Sequence, residues 1–335
     1  MKCCQLFFIG CILFTSKIVC SQQLIMMNHG NTSTSIRSLS AVGKNIIWAA
    51  GSNGQVAKST DGGLSWHWLM VDNYATKDFR AIYAWNEKEA IIMAVGTPAL
   101  LLKTTDGGLH WETVFTDSTK GMFLDALFFL NKHEGWVIGD PVLSNHPFMI
   151  HTKDEGNHWE IQHTGLPDFE LGEAFFASSN SNIFVTNSNK IWMVTGGTAS
   201  KLYTQQPMCF NLPLLQGKFS QGANSIDCFK NTCLIVGGDF MEDTITTGNA
   251  AIVTLEPNLQ IKTPIQAPNG YRSCVKHIKG TIWLCCGTSG VDISLDNGLH
   301  WKPISHASFH TICIIPNKNI FLAGSNGRIA QVILK

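Results

Sequence analysis

The segment STDGGLSW, at residues 59–66, returns three times along the chain. The copies are TTDGGLHW at 104–111, TKDEGNHW at 152–159 and SLDNGLHW at 294–301, and they share the pattern S/T-x-D-x-G-x-x-W. Their aspartates, Asp61, Asp106, Asp154 and Asp296, are separated by 45, 48 and 142 residues, so the last interval holds about three periods. The chain is therefore built from a repeat of about 47 residues, which is the length of one propeller blade.

The spacing within this pattern has a physical reason. An aspartate at the start of a tight turn accepts hydrogen bonds from backbone N–H groups of the turn, and the glycine adopts the left-handed conformation that other residues resist. The tryptophan then begins the next strand. We interpret the pattern as a hairpin stabiliser, and we expect the histidines before tryptophan (His110, His158 and His300) to face solvent rather than to form a ligand set.

Each repeat contains four short apolar alternations, and no stretch shows helical periodicity. Four antiparallel strands in about 45 residues are typical of one blade, so we predict an all-β, seven-bladed β-propeller. An N-terminal strand at residues 22–28 completes the last blade; six or eight blades remain open. The inner strands are expected to begin near Ile36, Phe79, Leu124, Gly172, Ala223, Tyr271 and Phe309.

The composition excludes binding by bulk charge. Hydrophobic residues make up 44% of the chain, charged residues 14%, and the formal net charge is zero. Nucleic acid is therefore not expected as a partner. No spacing of a dinucleotide, haem or iron–sulfur motif is present, so we predict no cofactor and no metal, and oxidoreductase chemistry is disfavoured.

Residues 1–21 are interpreted as a signal peptide, because Lys2 precedes an apolar run and a cleavage site precedes Gln22. The alternative is an uncleaved N-terminal anchor. On the first interpretation residues 22–335 form a single propeller, exported to the periplasm or secreted, without a membrane span after cleavage. No later run of apolar residues is long enough to cross a bilayer.

Two cysteine pairs flank short turns, Cys228 with Cys233 and Cys274 with Cys285. A disulfide is open at either place. The sequence favours buried free thiols, which behave as small apolar residues.

One column of the repeat is polar. It holds the second residue of each inner strand, and the residue after it is always small. Three of the four arginines of the chain lie in this column. Its members are Arg37, Arg80, Asp125, Glu173, Asn224, Arg272 and His310.

Inner strands lie nearest the axis, so these positions form a circle at one mouth of the channel. We expect Arg37, Arg80 and Arg272 to clamp an anionic group, with Asn224, Asp140 and Asp239 as further ligand-binding residues. Glu173 and Asp125 are candidates for an acid–base pair, and His310 for proton transfer. The alternative is a ring of mutual ion pairs that fills the channel. Such pairs are weak stabilisers after desolvation, which favours a site.

The repeated pattern resembles the Asp boxes of bacterial neuraminidase repeats, found in the sialidase-like superfamily. Beyond the boxes, the chain is similar to exported bacterial proteins related to the photosystem II assembly factor. The segments that carry this likeness are GMFLDA at 121–126, GANSI at 222–226, GGDF at 237–240 and GYRSC at 270–274. The Arg-Ile-Pro motif of sialidases is missing after Arg37 and Arg80, and no tyrosine is clearly placed as a nucleophile.

Two functions follow. In the first, the pocket binds an anionic small molecule or saccharide and has glycoside hydrolase-type activity. In the second, which the photosystem-type resemblance implies, the chain is a non-catalytic assembly factor that binds an acidic protein segment. A purely structural propeller is the third interpretation. The sequence leaves the ligand, a bound cation and the oligomeric state undecided.

Overall fold

The computed structural model describes residues 22–27, 33–162, 165–186, 190–204, 208–255, 258–315 and 319–334. The predicted signal peptide lies outside these residues. Their regular structure consists of strands. No helix in this part of the chain has the length and hydropathy that crossing a membrane requires.

The strands of the first three blades, with the N-terminal strand before them, follow in chain order. They are β1 (Gln22–Met27), β2 (Ile36–Val42), β3 (Ile46–Gly51), β4 (Gln55–Ser59), β5 (His67–Met70), β6 (Phe79–Ala84), β7 (Ala90–Ala94), β8 (Ala99–Thr104), β9 (Glu112–Asp117), β10 (Leu124–Phe129), β11 (Gly135–Gly139), β12 (Phe148–Thr152) and β13 (Glu160–Ile161).

The remaining strands build blades four to seven. They are β14 (Glu173–Ala174), β15 (Ile183–Val185), β16 (Ile191–Val194), β17 (Gly196–Gly197), β18 (Lys201–Thr204), β19 (Met208–Asn211), β20 (Gln221–Phe229), β21 (Thr232–Asp239), β22 (Ala250–Thr254), β23 (Gln260–Lys262), β24 (Cys274–Lys279), β25 (Ile282–Gly287), β26 (Gly290–Ser294), β27 (Trp301–Ser305), β28 (Thr311–Ile315), β29 (Asn319–Ala323) and β30 (Ile329–Leu334).

These strands form seven sheets, one for each blade, with antiparallel neighbours. Blade seven has the order β1-β30-β29-β28, so the first described strand supplies its outermost member. Six residue pairs join β1 to β30, from Gln22 opposite Leu334 to Met27 opposite Ile329. The predicted seven-bladed fold and its closure by the N-terminal strand are confirmed.

The core lies between adjacent blades, where apolar faces of two sheets meet. Trp48 of blade one, for example, is fully buried in a cluster that includes Phe79 and Ile92 of blade two. Small hydroxyl side chains join the inner strands: the Ser38 Oγ accepts from Ile82 N–H at 3.2 Å, and the Ser225 Oγ from Val275 N–H at 3.0 Å. These bonds explain the serines after Arg37 and Asn224 in the polar column.

The repeated turns join the third and fourth strands of their blades. In the first copy, the Ser59 hydroxyl donates to Asp61 Oδ1 at 2.8 Å and accepts from Gly63 N–H at 2.8 Å. The backbone N–H of Ser65 donates to the same carboxylate at 2.9 Å, and Gly63 has φ of 89°. Hydrogen bonds from Ser65 hold the pKa of Asp61 down to about 2. His110 and His158 are exposed, and His300 is partly exposed.

Blade four departs from the repeat. Its inner strand is split: β14 pairs with β17 at the edge of the sheet of blade five, residues 175–182 follow without strand structure, and β15 begins the sheet of blade four. We call this segment the plug, since its hydrogen bonds reach all six other blades. The partners, from blade one to blade seven, are Ser38, Arg80, Leu127, Asn224 with Ser225, Ser273 and Thr311. A segment that contacts every inner strand lies on the channel axis and closes the channel.

The cysteine interpretation needs one correction. Cys228 and Cys233 form a disulfide, because the β20–β21 register places them directly opposite each other. Cys274 and Cys285 are free and buried, in agreement with the favoured interpretation there. The β24–β25 hairpin turns at Gly280 and Thr281, with Lys279 opposite Ile282, and beyond an irregularity after His277 the register places Cys274 opposite Cys286 rather than Cys285.

Candidate binding pocket at the channel mouth

Four members of the polar column lie in β-bulges. The strand register shifts at Arg37, Arg80, Asp125 and Asn224, each time between the residue before and the residue after. A bulge adds one unpaired residue to a strand and re-aims its side chain. The repeated bulge therefore turns these positions out of the alternation of their sheets.

A cavity of about 350 Å³ lies above the plug. It brings together Arg37, Arg80, Asn224 and His310 of the predicted site with aromatic and small side chains that the sequence interpretation did not include. The additional lining residues are Phe123, Phe175, Phe176, Ala177, Ser178, Phe240, Tyr271 and Thr288. The cavity has the size of a small-ligand pocket.

Arg37 and Arg80 make this pocket electropositive, and they differ in their pairing. Arg80 donates through Nε to Asp78 at 2.8 Å and through Nη1 to the Ala177 carbonyl at 3.3 Å. Arg37 forms no ion pair within the described part of the chain, and its Nε is buried without a hydrogen-bond partner. Burial lowers the pKa of Arg37, and the nearby Arg80 lowers it further. The Arg37 guanidinium thus has no carboxylate in ion-pair contact among the residues described, and Asp78, which raises its pKa from a distance, is bound to Arg80 instead.

His310 and Asn224 complete the polar part of the pocket. Burial lowers the pKa of His310 to about 3, helped by Arg37 and Arg80, so the imidazole is neutral at pH 7. Its Nε2 lies 2.9 Å from the Ser325 hydroxyl. The Asn224 Oδ1 accepts from Ser178 and Tyr271 hydroxyls, each at 2.8 Å, which fixes the amide against the plug.

Arg272 does not line the pocket. Its side chain is fully buried and donates to Asp292 through Nε at 2.6 Å, to the Tyr271 carbonyl at 2.7 Å and to the Asn269 carbonyl at 3.0 Å. The residue before it, Tyr271, faces the pocket instead. The β24–β25 pairing of blade six begins only at Cys274, two residues after Arg272, so this position lacks the bulge that re-aims the column residue in blades one, two, three and five.

Glu173 is also turned away from the pocket. The carboxylate accepts from Thr195 at 2.6 Å, from Tyr203 at 2.8 Å and from Lys201 at 3.2 Å, and its side chain is not exposed. This pairs a tyrosine with a glutamate, as sialidases require, but Tyr203 is fully buried. The arrangement stabilises blade four and gives a substrate no access.

Asp125 and Asp140 lie beneath the pocket as a buried pair. No donor reaches either Asp125 oxygen with ordinary hydrogen-bond geometry, although Arg80 and the backbone N–H groups of Asp140 and Ala177 act to lower its pKa. Burial, with repulsion from Asp140, raises the pKa of Asp125 well above its usual range. Asp140 accepts from Phe175 N–H at 2.8 Å, and burial raises its pKa to about 7. The pair therefore retains a proton near neutral pH.

Asp239 is buried and does not line the pocket. It accepts from Gln221 at 3.0 Å and from Met241 N–H at 3.0 Å. Burial raises its pKa, but hydrogen bonds from Ser220 and these neighbours lower it overall. Among the residues described, no group of three or more His, Cys, Asp or Glu side chains has a metal-binding arrangement.

The polar column of the sequence does not indicate the aromatic lining of the pocket. Phe123, Phe240 and Tyr271 occur in segments that carried the family resemblance, but as neighbours of the polar positions. Phe175 and Phe176 enter through the plug, whose excursion has no counterpart in the other repeats.

A family comparison matches part of the chain. Residues 84–168 match the sequence model of the Photosynthesis system II assembly factor YCF48 family. This stretch runs from the end of β6 through β13. The chain is thus a β-propeller with a segment related to YCF48. No curated protein matches the chain.

Solved structures share the fold at low sequence identity. A structure described as YCF48 bound to D1 peptide is 16% identical, with a TM-score of 0.66 over 94% of this chain and 95% of that chain. YCF48 from Cyanidioschyzon merolae is 12% identical, with a TM-score of 0.63 over 92% of this chain and 98% of that chain. Virginiamycin B lyase from Staphylococcus aureus is 14% identical, with a TM-score of 0.65 over 94% of this chain and 100% of that chain. At such identities the likeness establishes the fold alone.

Proposed function

We propose that the protein is a non-catalytic binding module that captures an acidic segment of another protein in the pocket above the plug. The observation that carries this proposal is Arg37, a largely buried guanidinium without an ion-pair partner in the described residues. A carboxylate in the pocket would provide the missing partner and would also face Arg80. Charge-assisted hydrogen bonds of this kind are stronger than neutral ones.

The comparisons support a protein partner over a saccharide. Residues 84–168 match an assembly-factor family, and a similar fold is described with a bound peptide. Beside its polar groups, the pocket offers the rings of Phe123, Phe175, Phe176 and Phe240, which suit apolar side chains of a peptide. On this proposal, the module assists the assembly or retention of its partner.

Glycoside hydrolysis receives no support from the geometry. The predicted acid–base residues, Glu173 and Asp125, do not line the pocket. Each is buried, Glu173 in a network with Lys201 and Tyr203, and Asp125 beneath the plug. A pair of carboxylates flanking a bound sugar is what this chemistry needs.

Export remains part of the proposal. The N-terminal 21 residues have the charge and hydropathy pattern of a signal peptide. The Cys228–Cys233 disulfide is compatible with an oxidising compartment. We propose that residues 22–335 act in the periplasm or outside the cell.

Binding to an array of acidic peptides tests the function. We expect a subset to bind the wild-type protein, more weakly at high salt, and Arg37→Gln to lower its affinity about tenfold or more. Lys153→Gln is the matched control, because it removes the same charge from an exposed strand end on the face opposite the pocket. Wild-type affinity in Arg37→Gln, or no peptide bound by the wild type, overturns the proposal.

A further inference from the structure

Four aromatic side chains form a continuous row from the pocket to the surface. Phe240 is its centre: its ring centroid lies 5.9 Å from Phe176, 6.1 Å from Phe219 and 6.3 Å from Tyr271. We call these four residues the aromatic wall. Phe176, Phe240 and Tyr271 line the pocket, whereas Phe219 lies outside it, in the connection that leads into β20.

The outer part of the aromatic wall is exposed. Phe219 is 72% exposed and Phe240 37%, and the adjacent Met241 is 68% exposed. A large apolar side chain with this exposure packs against little of its own protein. Contiguous exposed apolar groups with a polar rim mark interaction surfaces, and Lys218 and Glu242, which form an ion pair, supply such a rim here.

The aromatic wall and the cationic part of the pocket form one surface. Tyr271 donates to Asn224, and Asn224 shares the pocket with Arg37 and Arg80. A ligand whose acidic group reaches the two arginines therefore extends along the aromatic wall on its way out. The plug closes the other end, so no exit exists through the channel.

The spacing of the rings suits an extended peptide. Along the row Phe176, Phe240 and Phe219 the steps are 5.9 and 6.1 Å. In an extended chain, alternate side chains point to the same side about 6.5 Å apart. Side chains at every second position of a bound segment thus meet successive rings of the wall. A single compact anion would leave Phe219 and Phe240 uncovered.

We infer that the partner is an extended acidic protein segment, with large apolar side chains at alternate positions beside the carboxylate held by Arg37 and Arg80. This inference rests on the proposed function and names the class of segment that the pocket selects. Aromatic residues at the centre of an interface commonly dominate its affinity. The aromatic wall is accordingly the specificity determinant, and the arginines are the anchor.

Two synthetic peptides with a fluorescent label test the inference. One contains Phe-Ser-Phe-Ser-Glu, and the other contains Ser-Ser-Ser-Ser-Glu in the same flanking sequence. We expect the wild-type protein to bind the first about tenfold more tightly. Phe219→Ser removes a mostly exposed ring, so the fold is retained. This variant should lose much of the preference for the first peptide, and its affinity for the second peptide should be unchanged.

Controls separate the inference from the proposed function. Leu143→Ser alters another exposed apolar residue, 89% exposed in the β11–β12 loop of blade three, and should preserve the preference. Arg37→Gln should lower the affinity for both peptides by the same factor. Equal binding of the two peptides by the wild type, or an unchanged preference in Phe219→Ser, overturns the inference while the function stands. Failure of both peptides to bind the wild type overturns both.

Discussion

Arg37 and Arg272 occupy the same column of the repeat, but only Arg37 is left without a counter-ion among the described residues. Arg272 finds Asp292 on β26 of its own blade, and it is fully buried there. No acidic residue of blade one pairs with Arg37 in this way. The sequence shows that both arginines begin an inner strand, but the direction of each side chain depends on a bulge and on a partner many residues away.

Loss of the Arg272 side chain should affect stability and leave ligand capture intact. Arg272→Ala leaves Asp292 buried without its cation, and removing one member of a buried ion pair costs about 3–5 kcal/mol. We expect this decrease in the free energy of unfolding, measured with urea. The folded protein should retain wild-type affinity for the peptide that Arg37 binds.

The double variant Arg272→Leu with Asp292→Leu is the matched control. It removes both charges, and apolar replacements of a buried pair are often neutral. The double variant should therefore be more stable than Arg272→Ala. Reduced peptide affinity in the folded double variant would contradict a purely structural role and return Arg272 to the binding site.

The Asp125–Asp140 pair predicts a pH dependence of stability. Burial raises both pKa values, that of Asp140 from 3.8 to about 7. A carboxyl group with a raised folded-state pKa contributes stability below its unfolded pKa, and this contribution is lost as the pH rises toward the folded pKa. Asp125→Asn removes one charge. The variant should come closest to the wild type near pH 4, and its advantage should grow as the pH rises, to about 1–3 kcal/mol near pH 8.

His310 changes the free energy of unfolding with pH in the opposite sense. The pH dependence is therefore compared as the difference in this free energy between the wild type and Asp125→Asn. The folded pKa of His310 is lowered from 6.5 to about 3, and its contribution is lost as the pH falls below 6.5. Both proteins contain His310, and this effect cancels. Urea unfolding of the two proteins at several pH values from about 4 to 8 measures the difference. A difference that does not change with pH is inconsistent with a shared buried proton.

At the scale of elements, the plug converts a channel into a pocket. Residues 175–182 leave an inner strand and reach six other blades through side-chain and backbone hydrogen bonds. Its sequence, FFASSNSN, begins apolar and ends in a run of small polar residues, which does not distinguish it from a short strand followed by a surface loop. The repeat alignment correctly places the start of blade four near Gly172 but continues the strand where the chain turns inward.

Asn180 is the residue of the plug whose loss should be most informative. Its Oδ1 accepts from Leu127 N–H at 2.7 Å, and its φ of 57° is left-handed. Asn180→Ala leaves the buried backbone N–H of Leu127 without its acceptor. Alanine is also strained in the left-handed conformation, which asparagine tolerates. We expect a loss of about 2–4 kcal/mol in urea unfolding.

Asn180→Gly separates the two contributions. Glycine accepts the left-handed conformation without strain, so only the hydrogen bond is lost and the cost should be smaller than for alanine. Equal and negligible costs for the two substitutions would show that the plug does not depend on this contact. Because the plug forms the pocket floor, lower peptide affinity should accompany the loss of stability.

At the scale of the whole molecule, most of the architecture follows from the sequence. A repeat of about 47 residues fixes the number of blades, and the missing fourth strand of blade seven identifies β1 as its complement. The site follows only in part. Four of the seven column residues line the pocket. Arg272 and Glu173 turn away to partners on the third strands of their blades, Asp292 and Lys201, and Asp125 is buried; the repeat pattern gives no signal for these side-chain directions.

The pairing of β1 with β30 closes the ring of blades. Deleting residues 22–27 leaves β30 unpaired along six residues and uncovers the apolar cluster against which Leu24 packs. An unpaired edge with apolar side chains invites association with another chain. We therefore expect the melting temperature to fall by roughly 10 °C and oligomers to form as concentration rises, measured by calorimetry and light scattering. Ile25→Ser is the matched control, because this side chain is 36% exposed and its backbone pairing is preserved. A synthetic peptide of residues 22–27, added in excess, should restore the monomer by pairing with β30. A deletion variant as stable and monomeric as the full chain would mean that the other six blades suffice to hold the ring closed.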